Sequence, residues 1–487
     1  MTRVPWSCLP LVRRPGDPDH RRTGPPTSAG GSRVTRTVVS TPVPTSTPST
    51  PGRWAGLTPE HRDQLLHLLV DALGLAAAGA ANDDARRVLD GLAAVSPGTV
   101  AVPWTDLRLA APQAATALST LIHAWDFDDT HDEAVVHTAA VVVPAALAAL
   151  ATAPAPGERV LDGLATGVQL LSRLARLTGP RHGVIRTAGL GALAAAATAA
   201  TVWGLDEAAT GDAIGLCLGA ALAPSTRQAV VDGSVAKRLQ PGLAAAHGLT
   251  AASLARAGVA GPAGWLGGTF GVLPGSDLTL SGLLAGPAEL DAVALKPYPA
   301  CRYTHAALAA AEQLHARRPG ADTVRRIVAH LPAGSAYELV ARPWQDRGTP
   351  LVDVQFSLPW QLAALWVTGR YDLGTLRRDL GRADVAAAAA LVEVRQDLPE
   401  SAVMSGARVE LETTDGVHDV AEAAMPGAGA ARPGRDAVDR KLLGCLEVAA
   451  VPDARAAADR LWQLAADLPG LDAAGAAAAV TDRTGPA

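Results

Sequence analysis

Between residues 123 and 137 the chain reads HAWDFDDTHDEAVVH, which sets His123, His131 and His137, three of twelve histidines, among Asp126, Asp128, Asp129, Asp132 and Glu133. Only 18% of the residues are charged, so this density is out of proportion to the rest of the chain. Groups this close split each other's pKa values, and some can be held near neutrality, which proton transfer at pH 7 requires. A solvated acidic loop with histidines at its edges would have the same local composition. The flanks argue against that: apolar, alanine-rich sequence lies on both sides, so the cluster is expected at a helix end inside a core-forming region.

The elements that must position these residues are mostly helices. Thr58 can cap, Pro59 suits the first helical position and Glu60 the positive end of the dipole, after which Leu65, Leu66, Leu69, Val70, Leu73 and Ala76 recur at helical spacing. Further helices are predicted across roughly 109–125, 138–152, 158–177, 187–203, 206–220 and 240–257, punctuated by Gly and Pro. No strand is needed before about residue 290. Beyond it VRRIVAHLP, ALVEVRQD and ARVELETTDG alternate or are β-branched, with helices at 304–317 and 356–368 between them, and from about 434 the helical pattern returns. The expected fold is mainly α: a disordered tail over 1–53, a helical domain over 54–292 completed by 430–480, and a smaller α+β domain over 293–429.

With 487 residues the chain can bury a substantial core, and its net charge of -5, with no basic run outside the amino-terminal tail, excludes nucleic acid as an expected partner. Cys8, Cys217, Cys301 and Cys445 lie far apart, without metal-ligand spacing, and read as reduced thiols of a cytoplasmic protein. The uncharged stretch Thr187 to Leu205 is long enough for a membrane span, but its Ala, Gly and Thr content favours a buried helix, and no membrane association is expected.

The blocks LVDALGLAAAG (69–79), HAWDFDDT (123–130), HTAAVVVPAALAA (137–149), SVAKRLQPG (234–242), HGLTAASLARAGVAGP (247–262) and KPYPACRYTH (296–305) occur in order. In this succession the chain resembles the MmgE/PrpD family of 2-methylcitrate dehydratases and cis-aconitate decarboxylases. The resemblance implies a homodimer with its active site in the cleft between a helical and a lid domain. It also implies dehydration, decarboxylation or epimerisation of small carboxylates without metal or other cofactor. Lys237 and Lys296 match the family's lysine positions and would hold substrate carboxylates and developing enolate-like charge. Asp126 and Thr130 match its Asp-x-x-x-Thr element and would position or deprotonate and donate a hydrogen bond. His137, after a one-residue insertion, is the candidate proton shuttle. His123, His182, Gln240, Arg302, His305 and Trp360 are expected substrate contacts, whereas His247 is read as packing.

Three positions depart from the family pattern. The histidine expected before the alanine-rich helix is Ile185, with His182 the only nearby stand-in; the lid tyrosine is Trp360, in FSLPW; and the position three after Lys237, often His, is Gln240. Each change removes a polar or titratable group, so a diverged, larger or less charged substrate is expected, or else an anion- or partner-binding protein without turnover. A third reading uses Asp128, Asp129 and Asp132 as the Asp-Asp-x-x-Asp magnesium site of helical terpene synthases. It fails on an aromatic content of 3% and on the lack of a second metal-binding element. His131 and His137 as a zinc pair lack helical spacing and a third ligand.

Overall fold

The computed structural model describes residues 53–484 apart from 181–183, 222–227, 319–323, 335–336, 346, 348–349, 402–403, 428 and 430–431. The expected disordered tail, Cys8 and His182 therefore lie outside the described residues. The rest is mainly helical, with a small α+β part, as its periodicity predicts.

Thr58 caps Pro59–Ala80, its hydroxyl accepting from the His61 N–H at 3.2 Å, and the helix buries Leu65, Leu68, Leu69 and Leu73. The predicted helices appear as Ala111–His123, Ala139–Thr152, Gly157–Thr178, Arg186–Val202, Glu207–Leu216 and Ala236–Arg256. Arg186–Val202 is almost wholly buried against Gly157–Thr178 and Ala236–Arg256, and among the described residues no single helix is long and apolar enough to cross a membrane. Ala236–Arg256 wedges between Ala111–His123 and Arg186–Val202. A Cβ on Gly242 would lie 2.7 Å from the Thr116 carbonyl oxygen, and one on Gly248 2.6 Å from that of Ala192, so only glycine permits both approaches.

Residues 324–423 form a four-stranded sheet in the order Val392–Leu398, Val324–Pro332, Ala407–Thr413, His418–Ala423, with the first pair parallel and the others antiparallel. Ala407, Val409, Leu411 and Thr413 are buried while Arg408, Glu410 and Glu412 are half-buried, the alternation of a one-sided sheet. Helix His305–Arg317 lies against the Ala407–Thr413 and His418–Ala423 strands, and Leu358–Thr368 against the helix and Val392–Leu398. The helices Arg435–Val448 and Ala454–Asp467 return to Pro59–Ala80.

Two expectations are corrected. Helix Asp83–Val95, capped by Asn82, stands where none was predicted, and strands do form before residue 290. Pro97–Ala101 pairs with Arg108–Leu109, and Thr130–His131 pairs with Val293–Ala294 in the register Thr130 to Ala294. A two-residue strand carries no periodicity, so only the tertiary pairing makes it one. That ladder brings the acid-rich segment beside Lys296.

Candidate active site

Asp126 leaves the end of Ala111–His123 with φ +50°, a left-handed conformation that aspartate tolerates better than most residues. Its Oδ1 accepts from Lys237 Nζ at 3.1 Å and from Lys296 Nζ at 3.2 Å, with Arg238 Nη1 at 3.5 Å, and Lys296 also donates to the Asp126 carbonyl at 2.8 Å. Burial pushes this carboxyl up, but the three cations outweigh it and hold Asp126 well below its ordinary value. Lys237 comes from the first turn of Ala236–Arg256, and Lys296 lies just beyond the Val293–Ala294 strand.

From Lys237 a relay continues. Its Nζ is 2.5 Å from His123 Nε2, and His123 Nδ1 is 2.9 Å from both oxygens of Asp128. An ionised carboxylate only accepts, so Nδ1 carries the proton and Nε2 accepts from the ammonium. Burial lowers His123 to about 4 against the opposing pull of Asp128, and lowers Lys237 to about 8 against that of Asp126. Burial pushes Asp128 up, but His123, His137 and Lys296 together outweigh it and hold the carboxyl below its ordinary value.

His137 is placed by two devices. Asp129 caps Ala139–Thr152, Oδ2 accepting from the Thr138 N–H at 2.9 Å and hydroxyl at 2.6 Å and Oδ1 from the Ala139 N–H at 2.8 Å; burial and Asp128 raise it to about 6. The turn before it is pinned by His131, whose Nδ1 accepts from the Ala134 N–H at 3.0 Å and whose Nε2 contacts Glu289 at 3.0 Å. Within that turn Val135 sits at φ +53°, a strained conformation for a β-branched residue. The turn returns His137 to the Asp129 carbonyl, 2.8 Å from Nδ1, and to Thr130 Oγ1 at 3.4 Å. A carbonyl cannot donate, so Nδ1 carries the hydrogen and Nε2 keeps its lone pair. Burial holds His137 well below its ordinary value although Asp128 lies 3.6 Å away, so the ring is neutral at pH 7.

Asp126, Thr130, His137, Lys237 and Arg302 line one cavity of about 350 Å³. The rest of its wall is largely apolar and includes Val135, Val184, Ile185, Val230, Leu339 and Phe356. Lys296 backs instead onto a separate cavity of about 770 Å³, so its amine reaches the site through Asp126. Arg302 is held bidentately by Asp132, at 2.8 and 2.6 Å, and by His305 Nδ1 at 3.3 Å; His305 Nε2 contacts the Ala300 carbonyl at 3.2 Å. His305 thus orients Arg302. Gln240 is half-buried one turn beyond Lys237, and Trp360 is buried edge-on to Tyr371. The acids of the Asp-Asp-x-x-Asp pattern are divided among His123, the cap and Arg302. Ligand-capable atoms of His123, Asp128 and His137 do lie within 4.8 Å of one another, but Nδ1 of each ring is already hydrogen-bonded.

Sequence reasoning missed Arg238 and Arg186. Arg238 is buried beside Asp126 and donates through Nη2 to Gln355 Oε1, while Gln355 donates to the Trp125 carbonyl at 2.6 Å. Its only sequence signal is adjacency to Lys237. Arg186 opens helix Arg186–Val202 and lines the cavity, where the pattern marked only a helix boundary.

A helical chain with a small α+β part, and a buried lysine, aspartate and histidine centre on one cavity, has a known counterpart. Residues 52–276 match the MmgE/PrpD N-terminal domain and residues 298–465 the MmgE/PrpD C-terminal domain, and the chain belongs to the MmgE/PrpD family. Among curated proteins it is similar to the cis-aconitate decarboxylase of Mus musculus, with 28% identity over 302 residues. That match takes in 57% of this chain and 60% of the mouse protein, less than two thirds of the latter's length.

Proposed function

We propose that this chain is a lyase or isomerase that forms and quenches a carbanion beside a substrate carboxylate, with dehydration, decarboxylation or epimerisation as the outcome. The observation that carries this reading is the presence, on one cavity, of neutral His137 with a free Nε2 lone pair and of Lys237 poised near pH 8. A carbon next to a carboxylate gives up a proton or CO2 only if the resulting charge is held by a fixed cation in a site of low dielectric. His137 takes the proton. Lys237 faces the developing charge and can return a proton, since its pKa lies close to working pH. Asp126, with Lys296 and Arg238 behind it, fixes the ammonium, and the Thr130 hydroxyl is placed to donate to the substrate. The likeness to a decarboxylase supports the lyase class, and the apolar wall at Ile185 supports a different acid as substrate.

A second reading, an anion-binding protein without turnover, is favoured by Ile185, which cannot move a proton where the family pattern places histidine. One experiment separates the two. The full chain is incubated in heavy water with citrate-, malate- and aconitate-like acids and with branched monocarboxylic acids, and deuterium uptake is followed by mass. Uptake at the carbon next to a carboxylate, lost in Lys237→Ala and His137→Ala, upholds the enzyme. Uptake that survives both variants moves the chemistry elsewhere, and no uptake alongside a raised melting temperature upholds the binding protein.

A further inference from the structure

The cavity wall has a feature that the acid–base centre does not use. Among the described residues three cations line it, and two have a carboxylate partner: Lys237 shares Asp126 with Lys296 and Arg238, and Arg302 holds Asp132 bidentately. Arg186 is the exception. It is half-buried, and among the described residues its hydrogen bond is to a neutral acceptor, the Ala175 carbonyl, through Nη1 at 3.1 Å, with no carboxylate within ion-pair distance. Burial lowers its guanidinium below the ordinary value, with only Tyr303 opposing. It also occupies the first turn of a helix, where the backbone dipole disfavours a cation. A half-buried charge without an acid in such a place is open to an anion, which would replace the water it has lost.

The remaining wall limits what that anion can be. Val184 and Ile185 precede Arg186 in the chain, and Val135, Val230, Leu339 and Phe356 extend the apolar surface. The other acid on the wall, Glu400, is exposed and would repel a second carboxylate near it. Among the described residues, a cation without a carboxylate partner, a repelling acid and an apolar lining match a single carboxylate attached to a branched hydrocarbon arm. A tricarboxylate would set its further carboxylates against that lining and Glu400.

We propose that the site takes a monocarboxylic acid with a branched apolar arm, its carboxylate on Arg186 and its arm against Val184, Ile185 and Leu339, so that Arg186 and Ile185 set specificity. This deepens the carbanion reading of the same cavity and rests on it for the reaction, but not for the binding. Arg186 substitutes for no proton donor; it fixes which end of the acid faces His137 and Lys237.

Binding is therefore tested without turnover, by calorimetry on the full chain with two unreactive probes, 4-methylpentanoate and tricarballylate. The expected result is 4-methylpentanoate bound at least about 10-fold more tightly than tricarballylate, as a carboxylate of the latter set against the apolar lining requires. Arg186→Gln should weaken 4-methylpentanoate by roughly 10- to 100-fold, the worth of a hydrogen bond to a charged group, and Arg186→Lys should restore part of the loss. Ile185→Ala should weaken 4-methylpentanoate by about 10-fold and leave acetate unaffected, because only the arm meets that side chain. Tighter tricarballylate overturns the proposal, and so does unchanged 4-methylpentanoate affinity in an Arg186→Gln protein that melts like the parent. Neither result bears on deuterium exchange, so the carbanion reading and the specificity proposal can fail separately.

Discussion

The chain builds two clusters from the same residue types. In one, His123, Asp128, Lys237, Asp126 and His137 meet beside a cavity that Asp126, His137 and Lys237 line; in the other, His330 Nδ1 lies 2.9 Å from Asp397, Nε2 lies 3.2 Å from Glu410, and Arg408 and His418 complete the group on the face of the sheet. Contact distances barely distinguish them. Solvent does: the Asp128 side chain is 0% exposed, whereas that of Asp397 is 46% exposed and that of Glu410 24%. Water at the sheet face screens each charge and supplies alternative partners, so the interactions there are weak. At the buried centre no such exchange is available, and burial itself lowers His123 and Lys237 against the pull of their acid partners. A cluster of histidines and acids becomes a chemical site through the desolvation imposed by its neighbours.

The sharpest way to break this contrast is to remove one acid from each cluster. Asparagine at 126 tolerates the left-handed backbone, so Asp126→Asn isolates the charge and leaves Lys237, Lys296 and Arg238 buried without it. The expected loss is about 3–5 kcal/mol in urea unfolding, together with loss of activity. Asp397→Asn should cost less than about 1 kcal/mol. Equal losses would show that burial is not what separates the clusters.

Next come the imidazoles. His137→Asn should lower kcat by about 10²- to 10⁴-fold with little change in melting temperature, the range for a general base. His330→Asn should leave kcat within about twofold, because its partners face solvent and no cavity residue depends on it. A comparable drop in kcat for His330→Asn would extend the site to the sheet.

The pH dependence is a third comparison. His137 lies well below its ordinary value and stays neutral through the physiological range, while Lys237 titrates near 8. Activity that needs neutral His137 and protonated Lys237 is therefore flat through neutral pH and falls as pH rises past about 8. Lys237→Arg should abolish that alkaline limb in whatever activity survives. For stability the sign is opposite. Between about 8 and the ordinary lysine value of 10.5 the unfolded chain binds the proton that the folded chain has lost, so this group makes the protein more stable as pH rises through that window. A rate profile without an alkaline limb would remove Lys237 from the chemistry.

The helices were legible because their alanine-rich faces repeat at 3.6 residues and their ends carry the Thr58 cap or Gly and Pro punctuation. The dense 123–137 segment was legible because all its members are local. What escaped was tertiary. Thr130–His131 is a strand only because Val293–Ala294 pairs with it, and Arg238 matters only because a turn of helix aims it with Lys237 at Asp126. Lys296 matches the family pattern as readily as Lys237, yet its place behind Asp126, on another cavity, depends on that two-residue ladder. The motif could not distinguish a lysine that lines the cavity from one that holds its aspartate.

The smallest expected effect concerns strain. Four described non-glycine residues have positive φ; Asp126 and Val135 both line the cavity, and none belongs to the sheet cluster. Glycine at 135 relieves a penalty of about 1–2 kcal/mol for a left-handed conformation, but costs about 0.5–1 kcal/mol in chain entropy, so Val135→Gly should change stability by no more than about 1 kcal/mol. Activity should respond more. Val135 lies in the turn that carries His137 back to Thr130 and the Asp129 carbonyl, and a looser turn widens the range of ring positions around the one that reaches the substrate. A fall in kcat of about 3- to 10-fold at nearly constant stability is expected, read by steady-state kinetics beside urea unfolding. A more stable protein with undiminished kcat would mean that the strained turn contributes nothing to the placement of His137, and that the two clusters differ in burial alone.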